Sequence, residues 1–117
     1  DLFDDCFSEP DKKAYANENG DMMRNRFAKA VEHGVQGWVE DDMALTTDWG
    51  FRPEDVTKPV TMWTGKKDQF VSYMHTVWLA ERTPNADLHV FHDEGHLSLR
   101  QHHLDAMIDA LFGRAGW

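Results

Sequence analysis

The sequence predicts an α/β chain in which a mostly helical first half leads into a parallel β-α-β-α unit. Three observations carry that expectation. Val60-Thr61-Met62-Trp63-Thr64 is a short apolar, β-rich run closed by Gly65, and Leu88-His89-Val90-Phe91 is a second run of the same kind, each reading as a strand. Between them, from Phe70 to Arg82, the spacing of Val71, Met74, Val77, Trp78 and Ala80 suits a helix packed on one face, with Pro84-Asn85 as its stop. Strands joined by a helix of that length form a crossover, so they run parallel and end at the same edge. Asp68 follows the first strand and His96 the second, so the topology is expected to bring them together.

Taken in order, the first half reads as three helices. Ser8-Glu9-Pro10-Asp11 is an N-cap with proline in the first turn, starting a short helix through Asn17 that Asn19-Gly20 breaks. Asp21 can cap a second helix whose Met23, Phe27, Ala30 and Val31 form an amphipathic stripe, ended by His33-Gly34. The third spans Val35 to Thr46, with Val35, Trp38, Val39, Asp42 and Leu45 along one face. Trp49-Gly50-Phe51 exits, and Pro53-Glu54-Asp55-Val56 is one helical turn before the strand at Val60. After His96, Leu97 to Phe112 places Leu99, His103, Ala106, Met107, Ala110 and Leu111 at repeats of three and four, a helix packed on the strands and ended by Gly113 and Gly116.

A carboxylate and an imidazole on neighbouring strand-end loops are two members of an acyl-transfer triad: the acid fixes the tautomer of the ring, and the ring is the general base. The third member belongs on a sharp strand-to-helix turn of the form G-x-S-x-G, which occurs nowhere in these residues. Gly65-Lys66-Lys67-Asp68-Gln69-Phe70-Val71 resembles the acid turn of the α/β-hydrolase superfamily, and Asp93-Glu94-Gly95-His96-Leu97 resembles its histidine loop. Strand, acid turn, helix, strand, Gly-His and helix follow in that family's order across about half the chain. Ser72 departs from the pattern, since relatives often carry proline there, which makes the helix start less sharp.

The resemblance implies the C-terminal part of an α/β-hydrolase fold, with the nucleophile-bearing half missing. Residues 1–52 would be the helical cap or lid, and residues 53–117 the β-α-β-α part of the core. Asp68 and His96 would be the catalytic acid and base. Met22, Met23, Phe27, Trp38, Met43, Leu45, Trp49 and Phe51 could line a pocket, with Trp38 and Trp49 as the substrate-binding contacts. The intact enzyme would act on an ester-like or related small molecule without a cofactor, and this chain alone would be inactive. A piece of a sheet leaves open edges and an uncovered apolar face, so its partner would be a second copy of itself or the missing half. The competing reading is a non-catalytic C-terminal fragment or truncated paralogue that serves as a dimerisation or binding module.

Composition bounds the remaining possibilities. The net charge of −9 speaks against nucleic acid and anionic membrane surfaces as partners. No apolar run approaches the roughly 20 residues that a membrane span needs. The acidic excess lies in the first 55 residues, which hold 14 acidic and 6 basic side chains, and runs such as Glu40-Asp41-Asp42 read as solvated helix faces. One cysteine, Cys6, excludes an internal disulfide and fits a reducing, cytoplasmic setting. Residues 1–20 carry no basic start or apolar centre of an export signal. Of the seven histidines, His92 and His96 stand at H-x-x-x-H spacing, but Gly95 in a post-strand loop argues against the helix that zinc binding would need. No metal site is therefore expected.

Overall fold

A computed structural model describes residues 6–17 and 20–115. Among these residues the chain is a mixed α/β structure of five α-helices and one two-stranded sheet. In chain order the elements are α1 (Glu9–Asn17), α2 (Gly20–Ala30), α3 (Gln36–Thr46), β1 (Val60–Gly65), α4 (Tyr73–Arg82), β2 (Ala86–Phe91) and α5 (His96–Ala115), with a single 3₁₀ turn at Pro53–Asp55. The predicted break at Asn19 lies outside the described residues, as do Gly116, Trp117 and the side chains of Asp21 and Met23.

The strands pair in parallel, from Val60 opposite Ala86 to Gly65 opposite Phe91. Both therefore end at one rim, and the pairing continues into the loops: the Lys66 amide donates to the Phe91 carbonyl at 2.8 Å and the Lys67 amide to the Glu94 carbonyl at 2.9 Å. Gly65 is required there, because a Cβ on it would collide with the Glu94 backbone. Side chains alternate across the sheet, which groups Trp63, His89 and Phe91 on one face. The Trp63 ring stacks on His89 at 4.3 Å and on Phe91 at 5.6 Å, and His103 of α5 covers Phe91 at 4.1 Å.

Helix boundaries depart from the sequence expectation in instructive ways. The α4 helix begins three residues after Phe70, because Asp68 and Ser72 organise the intervening turn. Ser72 is its N-cap, the hydroxyl accepting the Met74 amide at 3.3 Å, so serine supplies a defined start where a loose one was expected. Met74 and Trp78 of α4 point outward, and Val77 and Ala80 are half-buried; the Arg82 guanidinium lies 4.1 Å above the Trp78 ring and covers it. In α5 the inward residues are Leu99, His103, Met107 and Ala110, while Ala106 and Leu111 are exposed. Gly113 does not end α5, which continues to Ala115.

Packing is concentrated in one region. The α1 helix lies on α5, α4 lies against both strands, and α5 against β1, whereas α3 makes no extended contact with any other helix or strand. Phe7 and Ala14 are the buried hydrophobic side chains among the described residues, with Phe7 between Tyr15 and Phe70 at 5.4 Å from each. The first-half side chains named as possible pocket lining are open to solvent: Met22, Phe27, Trp38, Met43, Leu45, Trp49 and Phe51 are all exposed. The accessible surface of 8853 Å² exceeds the roughly 6,600 Å² of a compact monomer of this size, and the 16.4 Å radius of gyration exceeds about 13 Å for the same length.

The Gly65 contact yields a first prediction. Gly65→Ala pushes a methyl group into the Glu94 backbone and should destabilise the chain by about 1–3 kcal/mol. The check is the urea midpoint of the variant against wild type, with Gly37→Ala of α3, where a Cβ meets open space, as the control that should hold or raise the midpoint because alanine favours helix over glycine.

Candidate active site

The rim at the ends of β1 and β2 carries Asp68 and His96. Asp68 follows a turn in which its own amide donates to the Gly65 carbonyl at 3.3 Å. Its two carboxylate oxygens divide their work. Oδ1 accepts the Phe70 and Val71 amides at 2.8 and 2.9 Å, which locks the loop leading to α4. Oδ2 accepts Nδ1–H of His96 at 2.9 Å. A carboxylate only accepts, so this bond assigns the neutral ring as the Nδ1–H tautomer and leaves Nε2 with its lone pair. Nε2 has no hydrogen-bond partner among the described residues. The Asp68 side chain is 11% exposed and that of His96 46%, so a shielded acid holds a reachable ring. Phe70 flanks that ring at 5.2 Å.

The histidine is also held from behind, by a residue that the sequence reading assigned only to the first turn of α1. Asp11 is 0% exposed, and its carboxylate meets the first turn of α5: Oδ2 accepts the His96 amide at 2.9 Å, and Oδ1 accepts the Leu97 and Ser98 amides at 2.7 and 3.0 Å. Ser8 donates its hydroxyl to Oδ2 at 2.8 Å; this is a different use from the expected cap of α1. Gly95 precedes α5 and has no side chain with which to cap it, and a Cβ there would overlap the Asp11 carboxylate and the Ser8 hydroxyl. Ser98 completes the arrangement by accepting the Gly95 amide at 2.8 Å. The result is a capping box whose N-cap side chain comes from another helix.

Burial pushes the Asp11 carboxyl up, but the hydrogen bonds from Ser98, Ser8, His96 and Leu97 outweigh it, and the group lies below the ordinary aspartate value. Glu94 is also held down: burial raises it, and Ser98, His102 and His103 more than compensate. Glu94 accepts from His102 Nδ1 at 3.0 Å and His103 Nε2 at 3.3 Å, tying the histidine loop to α5. Lys67 donates to Asp93 at 2.7 Å across the two loops.

Among the described residues, cavities lie beside this rim and in the helical region. One of about 320 Å³ is lined by Ser8, Glu9, Lys66, Lys67, Asp68 and Gln69 beside the acid turn. The other, about 450 Å³, is a groove between α2 and α3 whose apolar lining is Phe27, Ala30, Val31 and Trp38, with Glu40 and Asp41 at its border. Trp49 does not line that groove; its ring sits 5.9 Å from Phe51 in the segment after α3. Among the described residues no group of three or more His, Cys, Asp or Glu could hold a metal ion, and no helix is long and apolar enough to cross a membrane.

A second prediction follows from the two depressed carboxyls. A group with a lowered native pKa contributes stability that is present above its unfolded value and is lost as pH falls through its native value. Urea midpoints should therefore drop as pH falls below the ordinary carboxylate range, and Glu94→Gln should flatten part of that drop. Parallel pH curves for variant and wild type would show that Glu94 plays no part in it.

No family model matches the chain, and neither a curated protein nor a solved structure matches it significantly.

Proposed function

We propose that this chain is the acid-and-histidine part of a hydrolase of the α/β-hydrolase type. The observation that carries the reading is the Asp68 Oδ2 to His96 Nδ1 hydrogen bond of 2.9 Å at the common rim of two parallel strands. In that reading the nucleophile, a serine or in some relatives an aspartate or cysteine, comes from the half of the fold that carries a G-x-S-x-G turn or its equivalent. Nε2 of His96 takes the proton of an attacking hydroxyl and returns it to the leaving group, or activates water on a covalent intermediate. The Asp68 charge stabilises the imidazolium that forms meanwhile. Residues 1–52 act as lid, Trp38 and Trp49 offer aromatic surface to an ester-like or related small substrate, and no cofactor takes part.

Supporting this assignment, the acid is restrained by two amides of its own loop before it reaches the ring, so the pair is preorganised in the chain as it stands. A third prediction tests it. The chain alone should hydrolyse p-nitrophenyl esters no faster than buffer. Joined to its nucleophile-bearing half, it should turn them over, and Asp68→Asn or His96→Ala in that enzyme should lower kcat by roughly 10²–10⁴-fold with little change in urea midpoint. Unchanged kcat in Asp68→Asn would move the acid elsewhere.

The excess surface favours a second, compatible reading as an association module. The outer edges of β1 and β2 are unpaired among the described residues, and Leu104, Ile108, Leu111 and Phe112 form an exposed stripe along α5. Uncovered strands and apolar stripes of this kind recruit a partner, here a second copy or the missing half. Light scattering at micromolar concentration should show a dimer or larger species, and a monodisperse monomer would count against association.

A further inference from the structure

The histidine loop depends on a carboxylate that no triad needs. We propose that Asp11 of α1 is a positioning residue for His96, so that the helical first half holds the general base in register with Asp68. The inference rests on the hydrolase reading for its catalytic meaning, but its geometry stands apart from that reading. Asp11 is fully buried, reaches across 85 positions of sequence to the His96 amide at 2.9 Å, and binds the next two amides with its other oxygen. Gly95 leaves the space that the carboxylate fills. A negative charge at the first turn of a 20-residue helix also meets the positive end of its dipole.

A residue that merely stabilised α5 could act through the Leu97 and Ser98 amides alone. The bond to His96 is different, because it fixes the backbone atom from which the imidazole projects. His96 Nδ1 reaches Asp68 Oδ2 only with the Cα of residue 96 held at the rim; there the Lys67 amide and the Glu94 carbonyl set the spacing of the two loops, and Asp11 sets the last step. Small displacements at this point cost the Asp68 bond, since such bonds weaken steeply with distance and angle.

Asp11→Asn separates the two roles. Its single amide oxygen can still accept from Leu97 and Ser98, and its NH₂ can donate to the Ser8 hydroxyl, but the same NH₂ then faces the His96 amide, two donors opposed. The experiment is long-range ¹H–¹⁵N NMR of the imidazole nitrogens in this chain, at a pH where the ring is neutral. Wild type should show His96 as the Nδ1–H tautomer, and Asp68→Asn, the positive control, should shift it to the Nε2–H tautomer that free histidine prefers. Asp11→Asn should lose the Nδ1–H tautomer while keeping a cooperative unfolding transition, and Ser8→Ala, which leaves all three amides bonded, should retain it.

A folded Asp11→Asn chain with the wild-type tautomer would overturn the proposal. An Asp11→Asn chain without cooperative unfolding would also overturn it, since Asp11 would then be a residue of the fold alone. The tautomer needs no nucleophile, so the outcome is independent of the esterase test. In the joined enzyme, Asp11→Asn should lower kcat by about 10²-fold, the scale of an ångström-sized misplacement, with KM unchanged. Loss of the tautomer in an enzyme that never hydrolyses esters would leave the positioning role intact and retire the hydrolase reading.

Discussion

The buried carboxylate of Asp11 is the constraint on which the arrangement of the rim depends. A charge withdrawn from water is costly unless its lone pairs are met, and here three amides and one hydroxyl meet them. Those amides are the ones that a helix leaves unpaired at its first turn. Two deficits, a desolvated anion and an uncapped helix, cancel at one point, and that point is the start of α5 where His96 sits. The space for the carboxylate exists only because residue 95 is glycine.

On the other side of the ring, Asp68 shows why an acid-histidine pair can be rigid in a small structure. One oxygen is spent on the amides of Phe70 and Val71, so the carboxyl plane is set before the second oxygen reaches the imidazole. Parallel pairing does the rest. Since β1 and β2 end together at Gly65 and Phe91, the loops start from adjacent points, and the Lys67–Glu94 backbone bond keeps them adjacent two residues further on. Half exposure of the ring beside a shielded acid leaves Nε2 open to solvent.

The rest of the molecule contrasts with this rim. Side chains large enough to build a core, among them Trp38, Met43, Trp49, Met74 and Leu111, face solvent, and among the described residues α3 makes no extended contact with another helix or strand. With so little apolar burial, the stability of the described structure leans on the sheet, the α1–α5 contact and the polar network around Asp11 and Glu94. This is why one misplaced methyl at Gly65 or one neutralised carboxylate is expected to be felt.

By itself the sequence determined the kinds of elements and their order, because short apolar, β-rich runs and a 3.6-period run between them are local properties. It also determined that Asp68 and His96 approach one another, since a strand–helix–strand unit has essentially one way to pack. Only the tertiary structure decided which faces are covered. The stripes at Met74, Trp78 and Leu111 are amphipathic whether or not a neighbour exists, and periodicity cannot say whether a neighbour is there. Nor could it reveal Asp11: in sequence that residue is one more acid in a first helical turn, and its role arises from a contact 85 positions away. The one local trace was Gly95 before a helix with no capping side chain of its own, a vacancy whose filling required the fold to bring α1 against α5.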